Sequence, residues 1–424
     1  MSEWSGGPAG GTALDPAPGD TWPASAVPAG EELHEPPAAP GRRRVLLGAG
    51  AALLGGAAAW RLTRDGRPPR EPRLFSGPAP VWSIDGPGPR TPERLVGTLP
   101  SAAYVTAAAL LLLDPATGSV RHTLRLPEGR RPAPGPTGGT PDPDRLVVGG
   151  GRVYSTTATT VHGYRLTDGV RDREAAATGL LGRSAAFALD GWAEGTAYGR
   201  AAAGGPAAPL VFGLGTGPGA AGWVRPAGEG GGQLLDLRPA TGGLLLARSS
   251  RDELVALDTA DGSRRWLVAA DQALRWTETD ATRVYVAQRG SGLRAVRLAD
   301  GGPAWSLPPA DAAWRRLRPL AAGGALFVPR DDGVVTRHAV GDGGEVWSCR
   351  LPFRPDARCR PVLAGGTLFV PGPRTGGIAA LDAATGELRW TFQDYAPGAG
   401  YWQLDTDGRQ VYAGHDSVLH ALRV

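Results

Sequence analysis

The side chains able to do chemistry in this chain are few, and their spacing excludes most of their common uses. There are two cysteines, Cys349 and Cys359, ten positions apart. No Cys-x-x-Cys pair therefore exists to seed a zinc ribbon or a thioredoxin-like centre. The six histidines (His34, His122, His162, His338, His415, His420) are scattered and contain no His-Glu-x-x-His pair of metal ligands. His415 and Asp416 stand side by side, like a base and its orienting carboxylate. They fall where a hairpin loop is expected, and loop polarity accounts for them. Asp114, Asp258 and Asp382 each open a turn that closes on a glycine, where a short carboxylate bonds backbone N–H groups. Arg264-Arg265 and Arg315-Arg316 offer charge to an acidic partner, but at turns they read as solvated residues. No catalytic, cofactor-binding or metal-binding set emerges, so the chain reads as a non-enzyme without a cofactor.

Composition narrows the fold. The chain has 424 residues, with 65 Gly and 40 Pro, so turns are frequent and strands short. Hydrophobic residues make up 42%, enough for a core. Trp accounts for 13 residues, and large aromatics used this selectively mark repeated packing positions. The formal charge is +4, every basic residue being Arg. These arginines are scattered and not interleaved with aromatics, which argues against nucleic-acid binding.

The elements that must position these residues are repeated. Ile378-Ala-Ala-Leu381-Asp382-Ala-Ala-Thr385-Gly386-Glu-Leu-Arg-Trp390 is matched by Leu254-Val-Ala-Leu257-Asp258-Thr-Ala-Asp261-Gly262-Ser-Arg-Arg-Trp266. In both, Gly follows Asp by four residues and Trp follows Gly by four. Gly219 to Trp223, Gly301 to Trp305 and Gly343 to Trp347 keep the second spacing. Asp114 to Gly118 leads to His122, and Asp168-Gly169 leads to Arg173. The unit reads as a β-hairpin: a strand ends at Leu381, Asp382 opens the turn, and Gly386 supplies positive φ. Leu388, Trp390 and Phe392 then alternate with polar residues, the pattern of a half-buried strand. Upstream of the hairpins lie short apolar runs buried on both faces, among them Val284-Tyr285-Val286, Leu326-Phe327-Val328, Leu368-Phe369-Val370 and Val411-Tyr412-Ala413.

This unit resembles the pyrroloquinoline-quinone-like (PQQ-like) repeat, in which an aromatic strand is followed by a Leu-Asp-x-x-Thr-Gly turn and a Trp. The resemblance covers roughly residues 80–424. It is strongest at 254–266 and 378–390, and Gly and Ala dilute it between 180 and 235. It implies an all-β fold, an eight-bladed β-propeller, with a Trp docked between neighbouring blades. Positions 82, 122, 173, 223, 266, 305, 347 and 390 occupy the docking site, and six of these eight are Trp. Residues 411–422 form a strand pair that lacks its Trp hairpin, whereas Val81-Trp82-Ser83-Ile84 is a Trp strand that lacks its partners. One blade is expected to be built from both ends of the chain, removing a free sheet edge.

The same fold includes quinoprotein alcohol dehydrogenases and the outer-membrane-protein assembly factor BamB. In the former, PQQ lies between a Trp and a disulfide of adjacent cysteines, beside calcium and a catalytic Asp. The cysteines here are not adjacent, so the resemblance implies neither PQQ nor alcohol oxidation. It favours a monomeric scaffold that binds a protein or peptide on a propeller face. An extracytoplasmic sensor module is the alternative.

The first eighty residues are expected to stand apart from the propeller. Residues 1–41 are Gly-, Pro- and acid-rich with no apolar period, and are read as disordered. Arg42-Arg43-Arg44 precede an uncharged run, Val45 to Trp60, so residues 42–60 read as a signal or membrane anchor. As a helix the run spans about 24 Å, shorter than a ~30 Å hydrocarbon core and within the range of a signal peptide. The arginines resemble a twin-arginine export motif, and Ala57-Ala58-Ala59 offers a cleavage site. No Cys follows, which excludes a lipid anchor. Residues 61–80 read as a Pro- and Arg-rich linker, with 81–424 as the propeller. The linker's five arginines (Arg61, Arg64, Arg67, Arg70 and Arg73) oppose the positive-inside rule if the propeller is outside. The family's usual place still favours an extracytoplasmic propeller attached to the membrane through residues 45–60. Export would permit a Cys349–Cys359 disulfide adding about 2–3 kcal/mol, with free buried thiols as the other reading.

Overall fold

The computed structural model describes residues 77–424 apart from 86–93, 97–101, 106–108, 126–146, 158, 182–185, 203–208, 218–219, 229–233, 270–273, 289–291, 309–314, 395–400 and 416–417. The tail 1–41, the apolar segment 42–60 and most of the linker lie outside the described residues, as does Asp416. Among the described residues no helix is long and apolar enough to cross a membrane.

The Asp-turn-Gly hairpin, repeated along the chain, yields eight four-stranded antiparallel sheets among the described residues. β1 (Trp82–Asp85) comes first. β2 (Arg94–Val96), β3 (Ala102–Val105), β4 (Ala109–Leu113) and β5 (Val120–Arg125) pair in that order. β6 (Val147–Gly149), β7 (Arg152–Thr156), β8 (Thr160–Arg165) and β9 (Arg171–Ala176) make the next sheet, followed by the single-turn α1 (Thr178–Leu181). Then come β10 (Ala186–Ala193), β11 (Thr196–Ala202), β12 (Leu210–Gly215) and β13 (Gly222–Pro226). β14 (Leu234–Ala240), β15 (Leu244–Ser249), β16 (Leu254–Asp258) and β17 (Arg264–Val268) form another. β18 (Leu274–Thr279), β19 (Arg283–Gln288), β20 (Leu293–Arg297) and β21 (Pro303–Leu307) repeat it. So do β22 (Leu320–Ala322), β23 (Ala325–Pro329), β24 (Val334–Ala339) and β25 (Glu345–Arg350). β26 (Val362–Ala364), β27 (Thr367–Pro371), β28 (Ile378–Asp382) and β29 (Leu388–Phe392) complete the consecutive sheets.

The last sheet is β30 (Gln403–Thr406), β31 (Gln410–His415) and β32 (Val418–Arg423), with β1 as its fourth strand. Trp82 pairs with Ala421 and Ser83 with His420, so both ends of the chain share one sheet as the sequence led us to expect. Gly77, just upstream, donates its N–H to the Thr391 carbonyl of β29 and covers Trp390.

The apolar runs take the second place in each sheet, and where the docking Trp is present it takes the fourth. β23 and β27 are buried along their whole length, whereas β25 is largely exposed. The aromatic of the second strand packs under the Trp of its own sheet: Tyr285 under Trp305 at 5.8 Å, Phe327 under Trp347 at 6.0 Å, Phe369 under Trp390 at 5.6 Å. Each apolar core cluster joins consecutive sheets. One runs from Phe327 and Val335 to Leu368 and Leu381. Others join the split sheet to its two neighbours: Trp82, Tyr412 and Leu419 meet Leu111 and Leu113, while Val411 and Leu422 meet Phe369 and Ile378.

Candidate functional site

The seams between sheets are built by the repeat turn. Asp382 Oδ1 accepts the N–H groups of Ala384 and Thr385, each at 2.9 Å, and its other oxygen takes Arg389 at 2.7 Å. These bonds hold the Asp382 carboxyl down to about 2, the backbone N–H groups leading. Asp114 and Asp258 repeat the arrangement with Arg121 and Arg265. The turn then receives the Trp of the preceding sheet. Indole N–H groups of Trp82, Trp223, Trp266, Trp305 and Trp347 donate to the carbonyls of Pro115, Thr259, Leu298, Val340 and Ala383. The ring lies on the turn glycine. A Cβ on Gly386 would stand 2.6 Å from Trp347, and one on Gly301 2.9 Å from Trp266. Glycine is thus required twice, for a φ of +73° at Gly386 and +70° at Gly301, and for room.

Two expected docking positions lack Trp, and the structure treats them differently. Gly169 of the next turn is covered chiefly by Leu124, whose Cδ2 would stand 2.7 Å from a Cβ there, with the Cβ of His122 at 3.4 Å. At Arg173 the aromatic of the sheet, Tyr154, is instead stacked by Trp192, at 6.1 Å and 17°. Trp192 arrives from β10 of the following sheet and lies over Gly149 and Gly150. The motif spacing gave no sign of this substitute.

The arginine pairs are not uniformly solvated. Arg265 returns to Asp258, while Arg264 is exposed. Arg316 is held down to about 10, first by burial and then by Arg330. Glu278 is also withdrawn from solvent, and burial pushes its carboxyl up against the opposing pull of Arg360 at 3.8 Å. Both cysteines are free: Cys349 half-buried, Cys359 buried with its S–H directed to the Trp402 carbonyl. The open disulfide alternative is not realised here.

Among the described residues, one group of potential metal ligands converges, and the sequence reading passed over it. His415 is not a solvated loop residue. It ends β31 with its side chain fully buried, and its Nε2–H donates to Asp394 Oδ2. The His420 Nε2–H donates to the same oxygen at 2.9 Å. On the far side of that ring, Nδ1 accepts the Ser83 hydroxyl of β1 at 2.8 Å. Arg374, 7% exposed, sets its Nη2 3.1 Å from Asp394 Oδ1 and donates from Nη1 to Gln393. Trp402, fully buried, stands edge-on to His415 at 4.4 Å, with Arg374 5.5 Å above its ring. Burial holds the His420 imidazole below the ordinary histidine range, against the pull of Asp394, so it is neutral near pH 7.

Local folding explains the convergence. His415 pairs with Val418 and Ala413 with His420, so the two imidazoles lie diagonally on one face of the β31–β32 hairpin. Asp394 is carried two residues beyond β29, and Arg374 in the β27–β28 connection. With Ser83 of β1 and Trp402 just before β30, six residues from five places thus meet at the seam between β26–β29 and the split sheet. The signal in the sequence was the spacing of the histidines across a short hairpin; nothing singled out Asp394.

Against this geometry the repeat can be placed. A family model described as outer membrane protein assembly factor BamB matches residues 211–331 and 331–422, half of the chain. The chain belongs to the BamB family. The BamB-family match starts within β12 and ends within β32, the region where the docking Trp is regular. The earlier sheets, with His122 and Arg173, are outside it. Among solved structures the chain is similar to the computationally designed Ika8 protein, at 12% identity and a TM-score of 0.61, over 82% of this chain and 100% of that one. This likeness is one of fold. It is also similar to BamB from Moraxella catarrhalis, at 16% identity and a TM-score of 0.44, over 72% of this chain and 84% of that one. No curated protein matches it significantly in sequence.

Proposed function

We propose that this BamB-family chain is an extracytoplasmic, non-catalytic β-propeller of eight blades that binds a protein or peptide on one face. Family membership carries the reading, since the matching family model is described as a protein assembly factor. Closure of the eight sheets into a ring is supported by the cores that run from sheet to sheet, including those on both sides of the split sheet. A non-catalytic role is supported by the fate of the turn aspartates, which are engaged by backbone N–H groups and arginines. It is supported too by the absence of the adjacent-cysteine pair that the quinoprotein enzymes use. The apolar run 45–60 then serves as export signal or anchor, in a monomer that binds no nucleic acid.

The test is crosslinking of the exported full chain in its own cells, followed by mass spectrometry. A partner protein recovered in stoichiometric amount, and lost on reversing charges on one propeller face, supports the proposal. Micromolar affinity for PQQ together with alcohol oxidation overturns it. For location, a C-terminal reporter active only after export should be active, and activity of a cytoplasm-only reporter refutes the placement.

A further inference from the structure

We propose that Asp394, His415 and His420 form a site for a borderline divalent transition metal, of which zinc is the type, at the seam between β26–β29 and the split sheet. Three donor atoms from separate places converge: the ligating atoms of the three residues all lie within 4.8 Å of one another. A tetrahedral zinc with bonds of about 2.0–2.1 Å holds its ligands about 3.3 Å apart. The His420 Nε2 to Asp394 Oδ2 separation of 2.9 Å requires only a small opening to admit the ion.

The surroundings match what metal sites need. Two imidazoles and a carboxylate are a donor set for zinc, cobalt, nickel or copper, and a poor one for calcium or magnesium. The ligands are already oriented by outer partners, the usual support of a ligating histidine and carboxylate. Ser83 holds the far nitrogen of His420, and Arg374 occupies the other oxygen of Asp394, leaving Oδ2 as a single-oxygen ligand. The Ser83 hydroxyl can accept as well as donate. His420 can therefore move its proton from Nε2 to Nδ1, donate to Ser83, and free Nε2 for the metal without losing that hydrogen bond. Without an ion, both imidazole N–H groups compete for one oxygen of a carboxylate that also faces a buried guanidinium. An ion converts both nitrogens from competing donors into ligands, His415 likewise carrying its single proton on Nδ1 once Nε2 binds the metal. The nearby Arg374 charge disfavours a cation held only by electrostatics, which again selects metals that bond strongly to imidazole.

The Trp402 indole N–H is buried and has no hydrogen-bond partner among the described residues. Its ring lies against His415, so it forms part of the same wall.

The test uses the purified full chain, stripped with a chelator and titrated with zinc by calorimetry and with cobalt by visible absorption. One equivalent of each metal should bind, with a cobalt spectrum showing nitrogen ligation. Zinc should raise the melting temperature. Asp394→Asn and His415→Gln should abolish binding, and Ser83→Ala should weaken it roughly 10–100-fold. Melting of each variant without metal shows whether it is folded. Ser83→Ala changes only a supporting residue and keeps the test decisive if a ligand variant fails to fold. Failure of the folded wild-type chain to bind either metal overturns the proposal. So does binding that is unchanged in folded Asp394→Asn. The cluster is then a hydrogen-bonded knot.

Discussion

Gly386→Ala tests whether the turn glycine and the docked Trp act as one unit. The substitution places a Cβ 2.6 Å from Cδ2 of Trp347 and 2.7 Å from Cε3, at a residue whose φ is +73°. The backbone conformation alone costs a non-glycine residue roughly 1–2 kcal/mol. Forcing the indole aside adds about 1–3 kcal/mol, because it is pinned by Phe327 beneath it and by its bond to the Ala383 carbonyl. The single variant should therefore lose about 3 kcal/mol. In a Trp347→Ala background there is no ring to displace, so the same glycine substitution should cost only the backbone part. The double-mutant cycle should show a coupling of about 2 kcal/mol, measured by urea denaturation followed in far-UV circular dichroism. Additivity within about 0.5 kcal/mol would refute the argument that the glycine makes room for the Trp.

Three further outcomes are expected from other parts of the molecule. Deleting residues 77–85 removes the buried Trp82, its bond to Pro115 and the Gly77 cover of β29, and should lower the melting temperature of the whole domain; a parent-like melt contradicts the role of β1. Thiol counting on unreduced, denatured protein should find two reactive groups, since both cysteines are free, and finding none would establish a bridge. In the native protein both should react slowly, burial having pushed Cys359 up to about 12 and Cys349 above its ordinary range. Buried His338, which faces Thr336, the Gly343 carbonyl, Glu345 and Arg316, has its proton affinity lowered first by burial. The unfolded chain then binds more protons than the native one, so this contribution to stability is present above about pH 6.5 and is lost as pH falls below it. His338→Gln should flatten the acid side of the stability–pH profile, and an unchanged slope would show that another group governs it.

The repeat was legible because its chemistry is local. Asp258, Gly262 and Trp266 occupy fixed offsets in one hairpin, and turn geometry enforces each of them. Several first strands were not legible: Leu320–Ala322 and Val362–Ala364 are three residues long and too short to show a period. Trp192 was missed because it compensates from the neighbouring sheet, outside the motif whose Trp is missing at Arg173. His415 was assigned to a loop on the strength of its polarity. Its burial comes from pairing with Val418 and from Asp394, which lies 21 positions away. Contacts made by register within a hairpin could have been anticipated; contacts between the tail of one sheet and the face of the next could not.

The pairing of β1 with β32 gives the order of events at the ribosome a particular importance. Ser83 meets His420 across 337 positions, so β1 remains without its partner until β32, more than three hundred residues later, has been made. Seven sheets can form from contiguous stretches as they emerge, but the eighth must wait. Contacts at such separation carry the largest loop-closure cost and form late. A product that stops before Val418 lacks β32 and leaves β1 unpaired. Loss of β32 thus bares two strand edges at once, that of β1 and that of β31.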